Sequence, residues 1–168
     1  MTQNLNLLQN KDFKFVINRL PMVEYFCTTV NIPGISGIPA EFPTPFTTIK
    51  VTPDHLQFSP LQITFKVDED LRNYEEILNW MFSYAFPNTY DEYKNSNVDK
   101  KALYQSKLSD LSVFTSTNKY NPNVEFVFKD AFPTDLGDLT FEISTSDVPV
   151  MTCTASFSYT NFYINRNT

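Results

Sequence analysis

Glycine, histidine and cysteine are nearly missing from this sequence, whose 168 residues hold three glycines, one histidine and two cysteines. Three glycines cannot build a phosphate-cradling loop, and neither a Walker sequence nor a GxSxG nucleophile elbow occurs. They also leave little material for glycine-dependent hairpin turns, whereas eleven prolines favour stiff, extended connections. A single histidine, His55, removes paired-imidazole metal sites, and Cys27 and Cys153 lie far apart with no metal-type or CxxC spacing. One cysteine pair is no disulfide framework, so both are read as reduced, buried small hydrophobes. Positive charge is thin as well. Thirteen Lys and Arg against nineteen Asp and Glu leave a net charge of −6, and the cations form no basic stripe of the kind that adheres to nucleic acid. No apolar run approaches the ~18 residues of a membrane span, and no charged-then-apolar leader opens the chain, so the expectation is a cytoplasmically made protein with no membrane contact.

What is present favours strands. Hydrophobic residues make up 42% and aromatic residues 15%, with 16 Phe and 9 Tyr, and the length suits one domain over 1–168 with a sizeable core. The most legible stretch is Leu61 to Phe82. Leu61, Ile63, Phe65 and Val67 alternate with Gln62, Thr64 and Lys66, the period of a half-buried strand. The period then changes, and Leu71, Tyr74, Ile77, Leu78 and Met81 fall on one stripe of a helix spanning about 69–84. Asp68 is read as its N-cap, with Glu69 and Asp70 in the first turn at the positive end of the helix dipole. The same three carboxylates are the chain's one acid cluster, but the further ligands and turn glycine of a calcium loop are absent, and capping is the preferred account.

Before that segment, residues 1–12 form an N-terminal arm carrying Leu5, Leu7 and Leu8, docked on its own core or on a neighbouring subunit. Phe13, Phe15 and Ile17 mark a first strand and Tyr25 to Asn31 a second. Asn31 to Pro60 holds six of the eleven prolines and reads as a turning connection, with Phe46 to Val51 its best strand. Residues 88–109 are a polar loop or insertion, either a solvated surface segment or one that orders against a partner. Strands follow at Asp110 to Ser116, at Val124 to Lys129, and through Leu139, Phe141 and Ile143. The last strand places Met151, Cys153, Ala155, Phe157 and Tyr159 on one face and Thr152, Thr154, Ser156, Ser158 and Thr160 on the other. The expected fold class is therefore mainly β (α+β), an antiparallel β-sandwich or barrel-like domain with one main flanking α-helix.

Chemistry has little to stand on. His55, in a turn, is read as solvated rather than as a general base, and no catalytic residue, cofactor site or metal site is assigned. Trp80 with Tyr84, Tyr90 and Tyr93 offers an aromatic platform for a ligand or peptide, or else core packing and a subunit seam.

Five stretches carry a resemblance: Asn18-Arg19-Leu20-Pro21, Val30 to Gly34, Pro45 to Pro53, Phe65 to Trp80 with Ala85-Phe86-Pro87, and Phe128-Lys129-Asp130 through Phe132-Pro133. Together they resemble the tail-tube-fold proteins of contractile-tailed, T-even-like bacteriophages, most of all the tail completion and sheath-stabilising, or terminator, proteins. The resemblance implies a virion protein of the phage tail, made in the host cytoplasm and forming a homo-hexameric ring with other tail proteins (tube, sheath, neck or baseplate). DNA would pass through the ring's channel without sequence-specific binding. The alternatives are a major tube subunit, a baseplate-end tube initiator and, from another class, a small β-domain that binds a ligand or peptide. On the ring reading, Thr152, Thr154, Ser156, Ser158 and Thr160 are candidates for a channel or inter-subunit face, or form a plain solvent face. Leu5, Leu7, Leu8, Tyr90 and Tyr93 are candidate ring or sheath contacts.

Overall fold

The computed structural model describes residues 13–17, 19–85, 107–117, 121–141, 143 and 150–166. Two antiparallel sheets share one long strand. The first sheet runs β1 (Phe13–Ile17), β8 (Ser109–Ser116), β9 (Pro122–Leu136) and β11 (Asn161–Arg166), the last paired with the early half of β9. The second sheet runs from the later half of β9 through β10 (Thr152–Ser158) and β7 (Leu61–Lys66) to β2 (Cys27–Asn31). Their inner faces meet in one core, in which Phe15, Ile17, Leu61, Ile63, Phe65, Leu111, Val113, Phe128, Ala155 and Phe157 are buried. In β7 and β10 every second residue is buried, as expected for antiparallel strands with one face on the core and one in water.

The main helix, α2 (Arg72–Tyr84), packs against β9 and against the short helix α1 (Pro21–Phe26). Its start corrects the expected one. Asp68 caps nothing, and the N-cap is Leu71, in the left-handed region at φ 57° with no side-chain cap bond. That conformation costs an L residue roughly 1–2 kcal/mol. Asn73 supplies the compensating order. Fully buried, it donates Nδ2 to the Lys66 carbonyl at 2.7 Å and accepts the Tyr74 and Asp68 amides at 2.9 and 3.2 Å. One amide side chain thus ties the end of β7 to the first turn of α2. The buried stripe is Asn73, Ile77 and Trp80, so Leu71 turns outward.

Helix α1 occupies the start of the expected strand at Tyr25. Pro21 stands at its first turn, where a missing N–H costs nothing. The Glu76 carboxylate of α2 takes backbone hydrogen bonds from Met22 and Val23, capping α1 from another element. Burial pushes the Glu76 carboxyl above the usual glutamate range against those bonds, and its Oε2 is buried without a partner. Two further expectations fail. Residues 139–141 and 143 lie outside any strand, with Phe141 and Ile143 exposed, and β11 was not anticipated.

Candidate assembly interface

The segment between β2 and β7 leaves the body. It carries two small antiparallel ribbons, β3 (Ile35–Ser36) with β6 (Gln57–Phe58), and β4 (Ala40–Pro43) with β5 (Thr48–Val51). Its root is well anchored. Pro33 is buried, the Ser59 amide donates to the Gly34 carbonyl at 3.1 Å, and the Tyr159 hydroxyl donates to the Ser59 carbonyl at 2.9 Å. Phe58 lies within 6.0 Å of both Tyr159 and Phe162, which in turn contact Phe128.

Beyond the root nothing is covered, since every residue from 34 to 52 is exposed. Those residues are nevertheless apolar at intervals: Ile38 is 76% exposed, Phe42 59%, Phe46 99% and Ile49 52%. Phe42 and Ile49 are direct cross-strand partners, beside the Glu41–Lys50 ion pair at 3.6 Å. A two-stranded ribbon is at best marginal alone in water, and exposed apolar residues grouped as Phe42 and Ile49 are here are of the kind that association covers. Sequence reasoning treated this segment as a connection. The available signal was the recurrence of Ile35, Ile38, Phe42, Phe46, Ile49, Val51 and Leu56 in a stretch too rich in proline to sit inside a sheet.

The outer face of the second sheet is the opposite kind of surface. Register places Thr152 beside Lys66, Thr154 beside Thr64, and Ser156 between Gln62 and Asp135, with Thr29 and Asn31 on the far side of Thr64 and Gln62. The result is a field of hydroxyls and amides with Lys66 at one end and Asp135 at the other. Side chains knit it together: Thr28 Oγ1 donates to the Thr64 carbonyl at 3.1 Å, and Thr134 Oγ1 to the Ser156 carbonyl at 3.2 Å. Of the five expected face residues, Thr152, Thr154, Ser156 and Ser158 lie in β10. Thr160 leaves the row at the corner toward β11, where its amide donates to the Lys129 carbonyl at 3.0 Å. Leu5, Leu7, Leu8, Tyr90 and Tyr93, with most of the polar 88–109 segment, lie outside the described residues.

The aromatic platform resolves into packing at its described members. Trp80 is buried, with Phe157 at 5.9 Å and the Arg19 guanidinium at 5.0 Å from its ring, and its indole N–H donates to the Lys107 carbonyl at 2.7 Å. The Tyr84 hydroxyl donates to the Pro133 carbonyl. His55 is exposed in the bend before β6.

With this geometry, the chain matches the phage tail tube protein family over residues 3–165. A tail tube terminator protein of Enterobacteria phage T4 is 26% identical over 117 residues, 66% of this chain and 58% of that one. The chain thus spans less than two thirds of the curated relative that it matches. Among solved structures, a chain of the sheath–tube complex of the extracellular contractile injection system PVC, in its extended state, superposes with a TM-score of 0.60 at 13% identity, covering 96% of this chain and 93% of its own. A chain from the sheath/tube terminator of the same system, also extended, gives 0.57 at 14% identity over 95% and 97%. At such identities the likeness is one of fold.

Proposed function

The chain belongs to the phage tail tube protein family, and on that premise we propose that it is a structural virion protein forming the ring that ends the tube of a contractile tail. The observation that carries the assembly reading is the arm between β2 and β7, an apolar surface rooted in the core and exposed among the described residues. Its occupant is a neighbouring copy or the adjoining tube. The T4 terminator relative and the fold of the injection-system terminator support the tube-end position.

Six copies would close around a channel, with the hydroxyl-and-amide face of the second sheet as its wall. Such a wall suits passage. It carries no row of cations to hold phosphates, and the subunit's net charge of −6 opposes adhesion. The role is non-enzymatic, and its partners are further copies, tube and sheath.

Electron microscopy of the protein alone and mixed with contractile-tail tubes tests the proposal. A six-fold ring confined to one tube end is expected. Long tubes formed by the protein alone would instead favour a tube-body subunit, to which the sheath–tube neighbour points. Monomer alone together with bare tube ends would reject the ring.

A further inference from the structure

Strand β9 belongs to both sheets, and its crossing point is built unusually. Between the pairs Ser109↔Ala131 and Leu111↔Phe128, β8 contributes one residue, Asp110, against two on β9, Lys129 and Asp130. This is a bulge, the device that bends a strand and sharpens its twist. Asp130 takes the left-handed conformation at φ 55°, and apart from Leu71 no other described non-glycine residue has positive φ. Glycine is the usual occupant of such a position because it alone pays no steric cost there. Here aspartate is held in place instead. The Asp130 amide donates to Asp110 Oδ1 at 3.2 Å, and the Lys129 ammonium donates to Asp110 Oδ2. On the other side of the same turn, the Lys129 carbonyl accepts the Thr160 amide, where the chain crosses from β10 to β11. Both covalent crossings between the sheets in this region therefore meet at Lys129 and Asp130.

We propose that Asp110 and Asp130 are angle-setting residues, fixing the orientation of the β2–β7–β10 sheet against the β1–β8–β9–β11 sheet. The intrachain claim stands by itself, and its consequence for assembly rests on the ring reading. A ring of identical heterologous contacts closes only when each subunit turns the path by its exact share, roughly 60° for six copies. A drift of about 10° per subunit accumulates to one whole subunit around the circle. A glycine at the bend would relieve the strain but release the angle. Aspartate, clamped by a second aspartate, retains both.

The test compares Asp130→Gly and Asp110→Ala with the unsubstituted protein, using Asp110→Asn as the conservative variant that keeps the acceptor for the Asp130 amide. Orthogonal spin labels at Lys14 in β1 and Gln62 in β7 report the inter-sheet distance in the monomer by pulsed electron paramagnetic resonance. The expected distribution is narrow in the unsubstituted protein and in Asp110→Asn, and about twofold wider in Asp130→Gly and Asp110→Ala. Melting temperature is followed in parallel, because Asp130→Gly is expected to melt no lower while its distribution widens. An unchanged distribution in both variants would overturn the proposal, as would widening that merely tracks lost stability. Ring order by particle classification adds the assembly arm, with mixed ring orders expected for Asp130→Gly. Absence of rings from the unsubstituted protein, both alone and on tube ends, would sink the ring reading and leave the distance measurement to decide the angle.

Discussion

The two-sheet body and the arm at residues 34–57 are built from similar residues put to opposite use. In the body, Phe15, Phe65, Phe128 and Phe157 are buried by their own chain. In the arm, Phe42 and Ile49 in the ribbon and Ile38 and Phe46 in its connections are exposed. The burial that favours folding is therefore concentrated in one region, and on the assembly reading the other keeps its apolar surface for association. Substitutions should divide accordingly, those in the body reading out as stability and those in the arm as assembly.

The largest expected effect is Phe65→Ala. Phe65 is fully buried near the C-terminal end of β7, flanked by Cys27 on β2 and Cys153 on β10. Its truncation should cost about 3–5 kcal/mol in urea unfolding. A much smaller loss would mean that the core collapses around the cavity or that the body is less tightly packed than its burial indicates. Asn73→Ala comes next. It strips partners from the Lys66 carbonyl and the Asp68 and Tyr74 amides, and about 2–3 kcal/mol should be lost, since buried polar groups would be left unpaired. Asp68→Ala serves as its control and should fall within about 0.5 kcal/mol, because Asp68 caps no helix.

Glu76 gives a pH signature. Its folded-state carboxyl titrates above the ordinary glutamate value because burial disfavours the charge. The stabilising contribution of its neutral form is therefore present below the unfolded pKa and is lost as pH rises through the raised folded value. Glu76→Gln should accordingly melt higher than the unsubstituted protein near neutral pH, with the advantage vanishing below the ordinary glutamate range. Equal melting temperatures across both regimes would show that the buried Oε2 is not a liability.

The sequence revealed most where a strand has one wet and one dry face. The alternation over Leu61–Lys66 and Met151–Tyr159 predicted both β7 and the inward set of Cys153, Ala155, Phe157 and Tyr159, because a period of two survives intact in a half-buried antiparallel strand. The same pattern at Leu139, Phe141 and Ile143 misled, since alternation carries no information about whether a partner strand exists. Strand β9 was seen only to Lys129, because the bulge at Asp130 and the proline at 133 interrupt its period. The start of α2 was misplaced for a different reason. Three acids resemble a cap locally, whereas the tie through Asn73 depends on a carbonyl seven residues earlier, which only the fold brings within reach. Glu76 capping α1 is a tertiary contact of the same kind. Of the candidate site, the Thr/Ser row of β10 was legible, but its continuation through Gln62, Thr64, Thr29 and Asn31 needed the strand order. The arm was legible as a proline-rich connection, but its exposed apolar surface was not, because exposure depends on where the rest of the fold lies.

The central claim is that the arm serves association and adds little to the stability of the subunit. Phe42→Thr combined with Ile49→Thr tests it most directly, since the pair is cross-strand, exposed and keeps its strand-forming character. Urea unfolding should shift by no more than about 0.5 kcal/mol, while decoration of tube ends, counted by electron microscopy against the unsubstituted protein, should be lost. Full decoration by the double variant, or a body that unfolds with its arm, would contradict the account.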